Sequence, residues 1–184
     1  MEGKTAILFG AKGLTGTYLL EELVNSDNYI KIKIPGRNKK EFESDKIESF
    51  VINFNKLDDY SELIKGDDLF CCLGTTVKNA GSQEATRVVD FDYPVKIAKI
   101  AERNRVKSFI VVSSLGANPN STSFYLKSKG MMEVAIKDLN FESLHTLRPS
   151  MLLGERNEFR FGEVIGKVFI LLFGWLMFGK IKAL

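Results

Sequence analysis

Histidine occurs once, as His145, and cysteine only twice, as the neighbours Cys71 and Cys72. So few ligands exclude an ordinary zinc site, which takes about four Cys or His side chains. The cysteines lie inside an apolar run, and adjacent residues of a strand point to opposite faces. They are therefore read as core packing, not as a disulfide, a redox pair or a nucleophile. His145 falls in a strand-like stretch and is read as a hydrogen-bonded core residue. The absence of a disulfide framework fits a reducing compartment. The opening MEGKTAILFG lacks the charged region and long apolar core of a signal peptide, and the expected location is the cytoplasm. No basic block or stripe is present. Net charge is +3 with lysines spread along the chain, which argues against a dedicated nucleic-acid binder. Repeats, low-complexity tracts and linkers are missing too, so 184 residues are read as one domain, 1–184, large enough to bury a core.

What the chain does have is apolar β-type runs alternating with helical patterns. TAILFG (5–10) reads as a strand, and LTGTYLLEELVNS follows with apolar residues at helical spacing. Further strands are expected at YIKIKIP, SFVINF (49–54), DLFCCLG (68–74), SFIVVSS (108–114) and ESLHTLRP. Helices are expected over LDDYSELIKG, over 83–104 and over 123–138, with Pro94 tolerable if Asp90 or Asp92 caps a new start beside it. Continuous apolar strands are buried on both faces. The expected fold is α/β: a Rossmann-type, doubly wound, mainly parallel sheet in the order 3-2-1-4-5-6 with helices on both faces. Such sheets bind ligands at the carboxyl ends of their strands.

After strand one comes GAKGLTG: Gly10, Ala11, Lys12, Gly13, Leu14, Thr15 and Gly16. Glycines at this spacing let the backbone turn tightly and approach a pyrophosphate, and the next helix offers free N–H groups to it. After strand two stand Arg37 and Asn38, with Lys39 and Lys40 behind, where an NAD-preferring site usually has an acidic residue. A guanidinium can hold a 2′-phosphate bidentately, so NADP(H) is expected in preference to NAD(H). Asn53 and Phe54, after strand three, are placed to border the adenine. Cys72, Leu73 and Gly74, after strand four, are placed beside the nicotinamide-side ribose.

Ser113 and Ser114 end strand five, and Tyr125 and Lys129 begin the next helix one turn apart, on one face. A free phenol is a poor proton donor and acceptor at neutral pH, and a neighbouring ammonium favours the phenolate. A serine at a strand end can orient a carbonyl or hydroxyl. One of these two serines, with Tyr125 and Lys129, forms a candidate catalytic set, and Lys129 is also expected to contact the nicotinamide ribose.

The segments GAKGLTG, NKLDDY, DLFCCLGTTVKNAGS, VDFDY, VSSLGA, YLKSKG and LRPSMLLGERNE carry a resemblance spanning nearly the whole chain. The protein resembles the atypical short-chain dehydrogenase/reductases, and within them the Tat-interacting-protein-like group. The resemblance implies a Rossmann-type fold, NADP(H) binding, Tyr125 as the active-site residue with Lys129 its partner, Ser114, the serine followed by Leu-Gly, as the catalytic serine, and Arg148 near the mouth of the site. Asn53 stands where such proteins often have Asp, and the chain ends at KIKAL where they continue with a further helix and strand.

The run VFILLFGWLMF (168–178) is apolar without a charge and, as a helix of about 16 Å, too short to span a bilayer. It is read as a buried helix or a homodimer contact, with Phe169, Leu172, Trp175 and Leu176 covered. A membrane-surface segment is the alternative. The function expected is an NADP(H)-dependent oxidoreductase acting on a small carbonyl or alcohol substrate. The alternatives are a non-catalytic NADP(H)-binding sensor or regulatory protein, and a nucleotide-sugar epimerase. Against the epimerase, few residues follow strand six to build a sugar-nucleotide site.

Overall fold

The computed structural model describes residues 3–39 and 41–150, and the apolar run 168–178 lies outside them. The strands are β1 (Lys4–Phe9), β2 (Tyr29–Gly36), β3 (Ile47–Val51), β4 (Asp68–Cys71), β5 (Ser108–Val112) and β6 (Ser143–Leu147). They form one sheet in the order β3-β2-β1-β4-β5-β6, and every pairing is parallel. This is the expected doubly wound order.

Alternation along β1 shows why both faces are covered. Ile7 and Phe9 enter one core with residues such as Leu57, Ile97, Ile100, Met132 and Ile136. Ala6 and Leu8 enter a second with Leu20, Leu23, Ile32 and Ile34. The first core is roofed by α4 (Tyr93–Arg103) and α5 (Phe124–Ile136), the second by α1 (Leu14–Asn25). Strand residues that bury side chains alternately on two faces need apolar residues at every position, hence the unbroken runs.

Three elements differ from expectation. β3 stops at Val51, not at Phe54. Ile52 still donates to the Gly36 carbonyl, but the Asn53 side chain then accepts from the Asn55 N–H and starts a 3-10 segment, Phe54–Leu63, in place of the expected α-helix. The helix expected over 83–104 is broken. After a short α2 (Val77–Ala80) it comprises α3 (Gln83–Arg87), a π-helical turn (Val88–Asp92) and α4. Neither Asp90 nor Asp92 caps α4 through its side chain. Tyr93 instead donates to Val88, five residues back. Proline brings no N–H and crowds the carbonyl four residues before it, and the widened turn directly ahead of Pro94 accommodates both. Finally, His145 is not in the core. β6 is an edge strand among the described residues, and His145 sits on its exposed side with Nε2 paired to Ser143 Oγ at 2.8 Å.

Candidate functional site

β1 runs into Gly10, whose φ of +85° is open to glycine at little cost. A Cβ there would also lie 2.6 Å from the Cys72 carbonyl oxygen, so the ends of β1 and β4 touch through backbone. A Cβ on Gly16 would lie 2.1 Å from the Gly10 oxygen, so the first turn of α1 presses directly on the loop. α1 begins at Leu14 with Gly13 as N-cap, no side-chain cap and no acid in its first turn. Its first N–H groups and the positive end of its dipole therefore face the loop unopposed, as a pyrophosphate requires. Residues 10–16 fit a dinucleotide.

At the end of β2, Arg37, Asn38 and Lys39 are exposed, and Arg37 makes no ion pair among the described residues. At the end of β3, Asn53 is exposed. Phe54 is not. Its ring packs edge-on to Phe9 at 6.1 Å and against Tyr93 at 5.1 Å, inside the core, which leaves only its backbone to border a ligand. Beyond β4, burial pushes the Cys72 thiol up to about 12 and the Cys71 thiol up to about 11. Neither is a nucleophile, and Cys72 offers the site its backbone. Gly74 is exposed and lies over the carboxylate of Asp90, whose Oδ1 would be 3.4 Å from a Cβ at that position.

Past β5, Ser113 is buried, its Oγ without a hydrogen-bond partner among the described residues, while Ser114 is partly exposed with Oγ 3.3 Å from the Leu115 carbonyl oxygen. The loop they start folds back on α5. Asn118 N–H donates to the Leu126 carbonyl, and the loop lies so close that a Cβ on Gly130 would be 2.3 Å from the Asn118 carbonyl carbon. Tyr125, 39% exposed, and Lys129, 2% exposed, stand one turn apart on α5. Lys129 Nζ donates to the Val112 carbonyl at the end of β5 at 3.2 Å. It also forms an ion pair at 3.1 Å with Asp90, itself 1% exposed.

Arg148, just past β6, grips Glu133 with two nitrogens, Nε at 2.9 Å from Oε1. Partial burial pushes the Glu133 carboxyl up, but the Arg148 guanidinium paired with it outweighs that and holds the group below the ordinary carboxylate range. The loop after β1, the ends of β4 and β5 and the first turns of α5 thus meet at one end of the sheet. Sequence reasoning missed Asp90 and Glu133. The signal for Asp90 was present: a carboxylate spaced four residues from Thr86 and Pro94, on the inward stripe of a helix.

A glycine-rich turn feeding an uncapped helix at the carboxyl edge of a parallel sheet defines a nucleotide-binding α/β protein. Comparison narrows the class. Residues 10–161 match the NAD(P)H-binding family, and the chain belongs to it; its cofactor is a nicotinamide dinucleotide. It is 38% identical over 173 residues to the protein HTATIP2 of Rattus norvegicus, covering 92% of this chain and 71% of that one. It is 33% identical over 160 residues to FMP52-2 of Scheffersomyces stipitis, covering 84% and 69%. Among solved structures, MoeE5 in complex with UDP-glucose and NAD superposes with a TM-score of 0.65 at 16% identity, over 78% of this chain and 53% of that one. The chain thus spans about half the length of that structure, and the likeness shows the fold alone. The expectation of a cytoplasmic location is overturned: FMP52-2 and several other fungal relatives are named mitochondrial. Among the described residues no helix is long and apolar enough to cross a membrane.

Proposed function

We propose that the protein is an NADP(H)-dependent oxidoreductase that reduces a small carbonyl compound, or oxidises the corresponding alcohol, with Tyr125 as its proton donor and acceptor. The observation that carries this reading is the placement of α5. It holds Lys129 buried against the end of β5 while leaving Tyr125, one turn earlier on the same face, open to a ligand. Gly10 to Gly16 would hold the pyrophosphate, Arg37 and Asn38 the 2′-phosphate of the adenosine ribose, and Asn53 the adenine edge. The backbone of Cys72 to Gly74 would line the nicotinamide side, with Lys129 on its ribose. When bound, the reduced cofactor supplies a hydride to the carbonyl carbon. Tyr125 Oη gives its proton to the carbonyl oxygen, and an alcohol results. Ser114, the more exposed of the two serines, donates a hydrogen bond that orients that oxygen. Arg148 closes one side of the site through Glu133.

The test follows NADPH absorbance over a panel of aldehydes, ketones and quinones. Tyr125→Phe removes only a hydroxyl from a half-exposed ring, so folding and cofactor affinity should persist. Turnover should fall by about 10²–10⁴-fold, the usual loss of a general acid. Undiminished turnover in that variant refutes the mechanism. Tight NADPH binding with no turnover on any compound favours a nucleotide sensor instead.

A further inference from the structure

The inward stripe of the α3–π–α4 segment consists of Thr86, Asp90, Pro94, Ile97, Ala98 and Ala101, all buried. Asp90 is the one charged member. A carboxylate in such a place is costly unless paired, and its pair comes from α5, as Lys129 at 3.1 Å. The other ionisable groups around Lys129 do not balance it. Cys71, the last residue of β4, and Cys72, just beyond it, feel the Lys129 charge but have thiols pushed far up by burial, so they stay uncharged at neutral pH. Glu133, one turn further along α5, is engaged by Arg148. Tyr125 is one turn the other way. An ammonium has three N–H groups. One goes to Val112 O, and the ammonium stands 3.1 Å from Asp90 Oδ1 as an ion pair. Both carboxylate oxygens of Asp90 are buried and accept no hydrogen bond among the described residues, so its hold on Lys129 is ionic.

We propose that Asp90 is the positioning residue of the site. As counter-ion it holds Lys129 against the end of β5, where its remaining N–H groups can serve Tyr125 or a bound ribose. It also offsets the Lys129 charge, so that Lys129 acts on Tyr125 as a hydrogen-bond donor more than as a free cation. The π-helical turn is what delivers it: such turns collect at functional positions in helices, and this one carries Asp90 beneath Gly74. The inference rests on reading Tyr125 and Lys129 as a working pair, but the pairing of Asp90 with Lys129 is tested without any substrate.

Urea unfolding is measured for the parent, Asp90→Asn, Lys129→Met and the double variant. Each single change should lower the midpoint, because it strands a buried partner. The double variant should be no less stable than the worse single one. Losses that simply add overturn the pairing. Should Asp90→Asn fail to fold, its rescue by Lys129→Met supports the proposal. Failure of both alongside a well-folded Lys129→Met would make Asp90 a packing residue and overturn it. The charge-offset role is read by replacing Tyr125 with 3-fluorotyrosine and following its 19F titration. With Asp90→Asn the uncompensated ammonium should shift that titration to lower pH. An unmoved titration in a folded variant overturns this half. A failed substrate search sinks the oxidoreductase reading and leaves both measurements standing.

Discussion

Arg37 shows how much of a site one residue can announce. It follows the last residue of β2, where the adenosine ribose of a dinucleotide lies in this fold, and it is exposed, with no ion pair among the described residues. If it holds the 2′-phosphate, Arg37→Ala should weaken NADPH binding by about 10-fold or more, the scale of a lost charge-assisted hydrogen bond, and leave NADH binding nearly unchanged. Calorimetric titration with both cofactors checks this, and equal losses remove the 2′-phosphate role. Arg37, the glycines of the loop, Tyr125 and Lys129 were legible because their chemistry follows from a position next to a strand end. The inward placement of Asp90 could be read from its spacing, but its role could not, because that depends on Lys129, a partner brought close only by the fold. His145 was misread for a related reason. An apolar neighbourhood in sequence predicts burial, yet an edge strand covers fewer of its residues than a central one.

Among the elements, α5 is the most constrained. Its inner face must carry Met132 and Ile136 into the core, Lys129 to β5 and Gly130 against the Asn118 backbone. Gly130→Ala would set a Cβ 2.3 Å from the Asn118 carbonyl carbon, which is backbone and cannot swing aside. The loop that begins at Ser114 should lift off the helix, at a cost of about 1–3 kcal/mol or more, as overpacking usually brings. The urea midpoint should fall accordingly and turnover should fall with it; a substitution tolerated in both would show that the loop has room to move. The strands were readable as elements because unbroken apolar runs have one common explanation in a sheet covered on both sides. The π-helical turn was hidden because the buried residues around it keep nearly helical spacing whether the turn closes over four residues or five. The end of β3 was hidden because Ile52 and Phe54 are apolar enough for a strand, while the local bond made by Asn53 decides against one.

At the scale of the molecule, the two ends of the sheet do different work. The candidate site occupies the carboxyl ends of the strands. The amino ends carry a charge cluster in which Asp68 accepts from Lys4 at 3.0 Å and Tyr29 at 2.8 Å, and Asp67 accepts from Thr5 N–H and Lys107, both at 2.9 Å. The Thr5 N–H and then Lys107 hold the Asp67 carboxyl below its ordinary value. Burial pushes Asp68 up, but hydrogen bonds from Ser108, Tyr29 and Lys4 win and lower it. Carboxyls depressed in the folded state contribute stability that is fully present above their unfolded value, 3.8 here, and is lost as pH falls through the folded value. Asp68→Asn should therefore lower unfolding stability at pH 7 by about 1–3 kcal/mol and matter progressively less below pH of about 4. Urea titrations at the two pH values check the sign, and a loss that grows on acidification would reverse it. The central place of β1 has a consequence for synthesis. β1 and β2 leave the ribosome first and β3 joins the far side of β2, but the other edge of β1 pairs only when Asp68 to Cys71 have been made. At roughly 5–20 residues per second, the nascent chain carries for seconds a bare strand edge that is apolar from Ala6 to Phe9, and its safe folding depends on what shields that edge in the meantime.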